Sequence, residues 1–450
     1  MRLASIRRCF IAALALAAVA GTARADYTIQ ETGSLGRNST LNAINNNGVA
    51  AGWAFVNDSL THAFRWSNGN LVDLGTLGGN TSYAYGINDN GVIVGQSNAT
   101  DHGPLRAVKY ENGAWSDLGD LGGPTGGAFG INNANEIVGQ ADKTAGLVTT
   151  HGFFWKNGVM TDLVTLGGQF STAFAVNSNS QVAGIAALGG LGGNHAATWL
   201  GGVVTDLGTL GGSFGVAKAI NDRGDVVGYA SAAGIAPTRA FLRKAGASAN
   251  TPLGVLGGAR APLTLNSQAL GINHKQVIVG WSEAVGDSVH HAIAIFGLGN
   301  QMVDLNALLP PNSNWKLLEA AAVNDAGVIV GTGQHLGGMR GFVMTPVGTL
   351  GVDVRERGDA LAFSGAFPNP TAGRTDFAFT MPAPGRARLA LYDLNGRLVR
   401  TLVSGTRSAG RQSATWDGLD AHGKPAGLGL YFARLEAADH VVTRRVSVMR

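Results

Sequence analysis

Seven residues that open like phrases invite a chemical reading first: His62, Arg106, His151, His195, Arg239, His291 and Arg340. Read as ligands, they would form a ring for a metal or an anion. Three of the seven are Arg, whose guanidinium offers only donors and holds no metal. A second regularity gives a sharper account. Asp73, Asp117, Asp162 and Asp206 each follow their cation by 11 residues, and Asp304 follows His291 by 13. Across a hairpin, that spacing sets cation and carboxylate on adjacent strands as a charge-assisted hydrogen bond. Arg340 is left to meet Glu31, which holds the matching place in an N-terminal strand. The fifth phrase breaks the rule, with Asn250 at the offset and Pro252 at the motif position, so that unit is expected to be the least regular.

Other chemical candidates are weaker. Gly211-Gly212-Ser213-Phe214-Gly215 has the letters of a nucleophile elbow, but it lies in a repeated connection with no helix after it. Asn88-Asp89-Asn90-Gly91 begins like a calcium loop, lacks the later Glu, and coincides with a repeated turn. Arg357-Gly358-Asp359 reads as a solvated triplet in a linker. Glu136, Asp222 and Asp225 are scattered among turns rather than gathered as an acid and a base. The expectation is no catalytic, cofactor-binding or metal-binding residue.

The elements that position these residues follow from self-comparison. The phrase Ile44-Asn45 returns as Ile87-Asn88, Ile131-Asn132, Val176-Asn177, Ile220-Asn221, Ile272-Asn273 and Val323-Asn324, at Asn spacings of 43, 44, 45, 44, 52 and 51. Each unit parses into four short strands, A to D. Asn47-Gly48 and Asn90-Gly91 fall between A and B; Asn68-Gly69, Asn112-Gly113 and Asn157-Gly158 fall between C and D. Asn-Gly tolerates the positive φ of a tight hairpin. D runs to the next A through Leu77-Gly78-Gly79 and its equivalents. Unit seven lacks a convincing D strand, whereas Tyr27 to Glu31 is a D strand without a unit. One orphan at the start and one vacancy at the end are what a closed ring requires, so the expected fold is all-β, a seven-bladed β-propeller closed by the N-terminal strand.

The units resemble the HAF repeats of bacterial extracellular proteins over about residues 27–346. The triplet is intact at His62-Ala63-Phe64 and altered at Arg106-Ala107-Val108, His151-Gly152-Phe153, His195-Ala196-Ala197, Arg239-Ala240-Phe241, His291-Ala292-Ile293 and Arg340-Gly341-Phe342. That resemblance implies a secreted or surface protein and no reaction.

Residues 1–25 read as a signal peptide, with Arg2, Arg7 and Arg8 before the apolar run Phe10 to Ala20 and a small-x-small cleavage site at Ala23-Arg24-Ala25, between Ala25 and Asp26. General and twin-arginine export both fit. Cys9 is the only cysteine and lies in that segment, so the remaining chain has neither disulfide nor thiol nucleophile. Four of the 33 basic residues also lie there, leaving 29 against 29 acids. Residues 26–350 hold 15 basic and 20 acidic side chains, which excludes a basic stripe for nucleic acid. No further apolar segment is long enough to span a membrane.

After a mixed-charge linker, 348–360, residues 361–450 carry six or seven short strands suited to a small Ig-like β-sandwich. Pro368-Asn369-Pro370, Tyr392-Asp393-Leu394-Asn395-Gly396-Arg397, Trp416-Asp417-Gly418, Gly423 and Gly429-Leu430-Tyr431-Phe432 resemble FlgD-type Ig-like modules and the type A sorting domains of type IX secretion, with Leu428 where Ser is common. The resemblance implies secretion machinery as a partner, with cleavage or surface attachment.

The combined expectation is a monomeric, non-enzymatic binding propeller, 26–347, without cofactor, secreted or at the outer cell surface, the periplasm being the alternative. Its ligand, a polysaccharide, envelope component or protein, would sit on the face where the B–C and D–A connections emerge, because the B–C connections vary: Ser97 to Pro104, Ala141 to Thr150, Ala186 to Asn194, Ser231 to Thr238. A structural or adhesive surface protein and a propeller-scaffold hydrolase or lyase are the rival readings.

Overall fold

The computed structural model describes residues 27–449 except 145–146, 191, 235–236, 258–263, 288, 298–300, 348–361, 368–370, 372, 382–383, 395, 409 and 438–439. The cleavage site at Ala25 and Asp26, the linker with Arg357-Gly358-Asp359, and Pro368-Asn369-Pro370 lie outside the described residues. Two compact units divide between Val352 and Asp353. Among the described residues there is no α-helix, and the sheets do not close into a barrel.

The first unit is built from seven four-stranded antiparallel sheets, the fourth and fifth joined by a parallel bridge from Asn194 to Phe214. In sheet 1 the order is A (Ser39–Ile44), B (Ala50–Phe55), C (Thr61–Ser67) and D (Asn70–Asp73). The other A strands are Ser82–Ile87, Gly126–Ile131, Gly167–Val176, Gly211–Ile220, Ser267–Ile272 and Trp315–Val323. In sheet 7 the fourth strand is Tyr27–Glu31, which pairs with Gly338–Pro346 from Tyr27↔Pro346 to Glu31↔Phe342. Successive A strands lie against one another, and the seventh lies against the first.

All seven A strands share a register shift at the equivalent place, after Leu41, Ala84, Ala128, Ala173, Ala217, Ala269 and Ala320, and the A strands of units 4, 5 and 7 carry a second one nearer their start. The residue opposite is Gly in every sheet: Gly52, Gly95, Gly139, Gly184, Gly228, Gly280 and Gly331. A Cβ there would collide with the carbonyl oxygen of the residue preceding the one the glycine faces, such as Thr40 or Thr172. Just past the shift only Ala or Gly occurs, because the next A strand is close; a Cβ on Gly130 would stand 2.7 Å from the Phe174 oxygen. The bulge therefore explains the small residues on both strands.

The A–B connections are turns of antiparallel hairpins, as expected, each with one residue of positive φ, Gly48, Gly91, Gly224 and Gly327 in four units, and Asn135, Ser180 and Gln276 in the rest. Three sequence expectations need correction. In units 4 and 5 the glycine pairs Gly167-Gly168 and Gly211-Gly212 begin the A strand instead of preceding it, and Ala141 to Thr150 is mostly strand, within Ile137–Thr144 and Leu147–Lys156. The shortest D strand is in unit 6, Val303–Asp304, where a 3-10 turn at Leu305–Leu308 takes over; unit 5 retains Thr251–Gly254, with Pro252 opposite Phe241.

The C-terminal unit has a three-stranded sheet (Ala362–Phe367, Thr375–Met381, Gly410–Trp416) and a four-stranded sheet ordered Leu398–Arg407, Gly385–Tyr392, Gly429–Ala437, His440–Val448. Both contribute to one core around Phe377, Phe379, Leu389, Leu391, Trp416 and Val446. Its motif residues serve the fold. The Trp416 indole donates to the Leu419 carbonyl at 2.7 Å, the Tyr431 hydroxyl to Gly427 at 2.7 Å, and Gly396, Gly418 and Gly423 take positive φ at turns.

Candidate functional site

Six of the seven cations opening the C strands stand beside a carboxylate on the fourth strand. His62 lies 2.9 Å from Asp73, His151 2.8 Å from Asp162, His195 2.9 Å from Asp206 and His291 2.7 Å from Asp304. Arg106 reaches Asp117 and also Asp120, each at 3.0 Å. Arg340 lies 2.9 Å from Glu31, which also meets His335 at 2.7 Å. Asp73, Asp117 and Asp206 accept from the backbone N–H two residues on as well, so each carboxylate fixes its own turn. Sequence spacing missed three further partners: Lys143 on Asp162, Asp287 on His291, and Lys316 on Asp287. In unit 5, Asn250 instead donates to the Leu207 and Thr209 carbonyls of unit 4. Ser213 stands in a strand, not at the strand-to-helix turn that an elbow requires.

At the other end of the A strands, the seven repeated Asn residues make a ring. Asn45 Nδ2 donates to the Asn88 carbonyl, and so on through Asn132, Asn177, Asn221, Asn273 and Asn324, which donates to Asn45, at 2.8–3.4 Å. Each Oδ1 accepts from its own turn, as Asn177 does from Asn179 and Gln181 N–H. Only a carboxamide supplies both halves of this arrangement. A cavity of about 210 Å³ is lined by all seven turns.

Of the acids read as scattered, only Asp222 lines that cavity, where it is joined by Asp89, Asp325 and His274; Glu136 and Asp225 are held in separate turns. His274 Nδ1 is 2.8 Å from Asp325 and its Nε2 2.7 Å from Asp222. Burial works to lower the His274 pKa, and the hydrogen bonds to Asp325 and Asp222 outweigh it, so it is raised. Asp89 accepts from Asn46 and Asn133. Glu136, almost fully buried, is held ionised against burial by Lys156, Ser180 and Asn132. Asp225 accepts from Gln276 and the Ala245 N–H. His274 is 51 positions from Asp325 and 52 from Asp222, so only the phase of the repeat could have grouped these three.

Three residues before each Asn stands the bulge position: Asn42, Tyr85, Phe129, Phe174, Lys218, Leu270 and Ala321, all half-buried. The next level away from the Asn ring includes Tyr83, Gln268 and Glu319, paired on the B strands with Gln96, Trp281 and Thr332. A continuous aromatic wall crosses four units. Phe55 contacts Trp53, Trp53 contacts Tyr83 at 5.5 Å, Tyr83 stacks on Tyr85, Tyr85 meets Phe129 at 5.4 Å, and Phe129 meets Phe174 at 5.8 Å. The wall ends on a charge, with Lys218 Nζ 3.8 Å from the centre of the Phe174 ring. Burial lowers the Lys218 pKa to about 8 despite the opposing field of Glu319, whose own pKa burial raises. Tyr85 is pushed up to about 12 by burial and by Tyr83.

Among solved structures the chain is similar to PorZ, a surface component of the type IX secretion system of Porphyromonas gingivalis, at 10% identity over 89% of this chain and 64% of that one, TM-score 0.34. It is also similar to the extracellular domain of the hybrid two-component system BT4673 of B. thetaiotaomicron (10% identity, 96% and 60% covered, TM-score 0.39) and to TolB of Acinetobacter baumannii (11%, 48% and 52%, TM-score 0.34). The chain spans less than two thirds of the length of each. No curated protein sequence matches it significantly. Among protein families, the FlgD Ig-like domain matches residues 368–440.

Proposed function

We propose that this chain is an exported, non-enzymatic binding protein, a seven-bladed β-propeller of HAF-like repeats that holds its ligand on the axis. Residues 26–347 form the propeller behind a signal peptide, 1–25. A linker, 348–360, leads to an Ig-like module, 361–450, that engages secretion machinery or anchors the protein at the outer cell surface. What carries the reading is the contrast at the inner strands. Seven strands running into the same Asn present a non-repeating, half-buried set of residues at the bulge level, aromatic in units 2 to 4. A scaffold has no need of that set, since its bulges and Asn ring already hold the strands. Half-buried aromatic faces beside Gln96 and Gln268 amides suit the alternating apolar and hydroxyl faces of a sugar chain. Trp53 and Phe55 lie at the end of strand B, so the wall opens on the face of the B–C and D–A connections.

The test is equilibrium binding of the whole exported chain to a panel of bacterial glycans and envelope polymers. At least one should bind, and Trp53→Ala with Tyr83→Ala should weaken it tenfold or more. Binding insensitive to that pair would return the protein to a structural or adhesive role; turnover of any panel member would make it an enzyme.

A further inference from the structure

Lys218 and Glu319 are the two charges in the inner wall, and among the described residues neither makes a hydrogen bond or an ion pair with another side chain. Lys218 is on the A strand of unit 5, Glu319 on that of unit 7, with Leu270 and Gln268 of unit 6 between them. Each feels the other through its field, past the strand of unit 6. The one contact answering the ammonium is the Phe174 ring, and a cation–π contact supplies no acceptor for its three N–H groups. A half-buried ammonium with a ring but no side-chain acceptor beside it contrasts with the Asn ring, where each repeated side chain is hydrogen-bonded through both its donor and its acceptor.

The surroundings narrow what would answer it. Tyr85 meets Phe129 edge-on, with 71° between the ring planes, Phe129 stacks on Phe174 at 29°, and units 6 and 7 place the smaller, half-buried Leu270 and Ala321 at the same level. One ammonium with neither Arg nor a cradle of backbone N–H groups suits a single negative charge rather than a phosphate dianion. The carboxyl of Glu319 would repel a second ligand charge while remaining able to bond a hydroxyl. We propose that Lys218 reads a carboxylate, and that the axial ligand is a sugar acid unit lying on Phe174 and Phe129 with a hydroxyl turned toward Glu319. The inference rests on the axial binding reading above.

The experiment is calorimetric titration of the whole chain with a glucuronate-containing oligosaccharide and with its carboxyl-reduced, neutral counterpart, at pH 6.5 and 9.5. The acidic probe should bind at least tenfold tighter at pH 6.5, and the preference should vanish at pH 9.5, where Lys218 has lost its proton. The other titratable groups of the wall are Tyr83, Tyr85, Tyr229 and Glu319; Glu319→Gln should keep the pH effect, which assigns it to the lysine. Lys218→Met should bring the acidic probe level with the neutral one, and Lys218→Arg should retain a preference. Should Lys218→Met fail to fold, the pH dependence of the unaltered chain still decides. Equal binding of both probes at pH 6.5, or a preference surviving in Lys218→Met, overturns the carboxylate inference and leaves the axial site standing. Binding of neither probe overturns the sugar acid, and if the wider panel is also silent, the axial site falls with it.

Discussion

Asn45, Asn88, Asn132, Asn177, Asn221, Asn273 and Asn324 are identical in all seven units, while three residues earlier on the same strands stand Asn42, Tyr85, Phe129, Phe174, Lys218, Leu270 and Ala321. The first set is buried and fully hydrogen-bonded, each side chain tying its own turn to the next unit. The second is half-buried, mostly aromatic or apolar, and includes a charge with only a ring for company. Within a repeat protein every unit solves the same packing problem, so a side chain that packing demands recurs, and one that does not recur answers to something else.

The largest effect expected from this contrast is on the repeated side. Asn177→Ala removes one donor to Asn221 and two acceptor contacts to Asn179 and Gln181 in a buried setting. At about 1 kcal/mol per hydrogen bond it should cost about 3 kcal/mol in urea unfolding at pH 7. Asn177→Asp, which keeps the acceptor and loses the donor, should not rescue it, because a carboxylate would face the Asn221 carbonyl.

The non-repeated side should respond with the opposite sign. Lys218 has a pKa of about 8 when folded against 10.5 when unfolded, so from pH 8 to 10.5 the unfolded chain holds the proton that the folded chain lacks. Stability of the unaltered protein then rises with pH across that window, having carried the burial cost in full below pH 8. Lys218→Met never charges, and should gain on the order of 2 kcal/mol at pH 7, shrinking to nothing near pH 10.5. A loss of stability at pH 7 would mean the lysine is a packing element after all, and the contrast would fail.

The sequence made one of these sets legible and hid the other. The Asn phrase announces itself by recurring, and the orphan segment Tyr27 to Glu31 can be placed by counting strands. A spacing of 11 residues is a hairpin separation, which is why His62 and Asp73 can be matched on paper. The ring function of the Asn side chain was not legible, since Asn before a turn has a sufficient local explanation; its donation to a unit 43 or more residues away requires the ring in three dimensions. The bulge was signalled by the B-strand glycines, Gly52 to Gly331, which recur without being at a turn. Lys218 was hidden because a search for repetition passes over what differs. It can be found only by aligning the units on Asn and looking for the column that varies.

His274 tests the boundary between the two sets, for it occupies a turn position that is Asn46, Asp89, Asn133, Ser178, Asp222 and Asp325 in the other units. It is about half exposed, and hydrogen bonds to both Asp325 and Asp222 raise its pKa above 6.5 in the folded chain. A raised folded pKa gives stabilisation that is fully present below 6.5 and is lost as pH rises through the folded value. Because the pairs are exposed and screened, the effect should be the surface amount. His274→Gln should cost about 0.5–1 kcal/mol at pH 5.5, nothing by pH 8.5, and less in 1 M salt. The slope runs opposite to that of Lys218 and at lower pH, so thermal unfolding from pH 5.5 to 10.5 separates the two. A cost that stayed constant from pH 5.5 to 8.5 would show the imidazole acting as a neutral link, as the repeated asparagines do, and would place His274 on their side of the comparison.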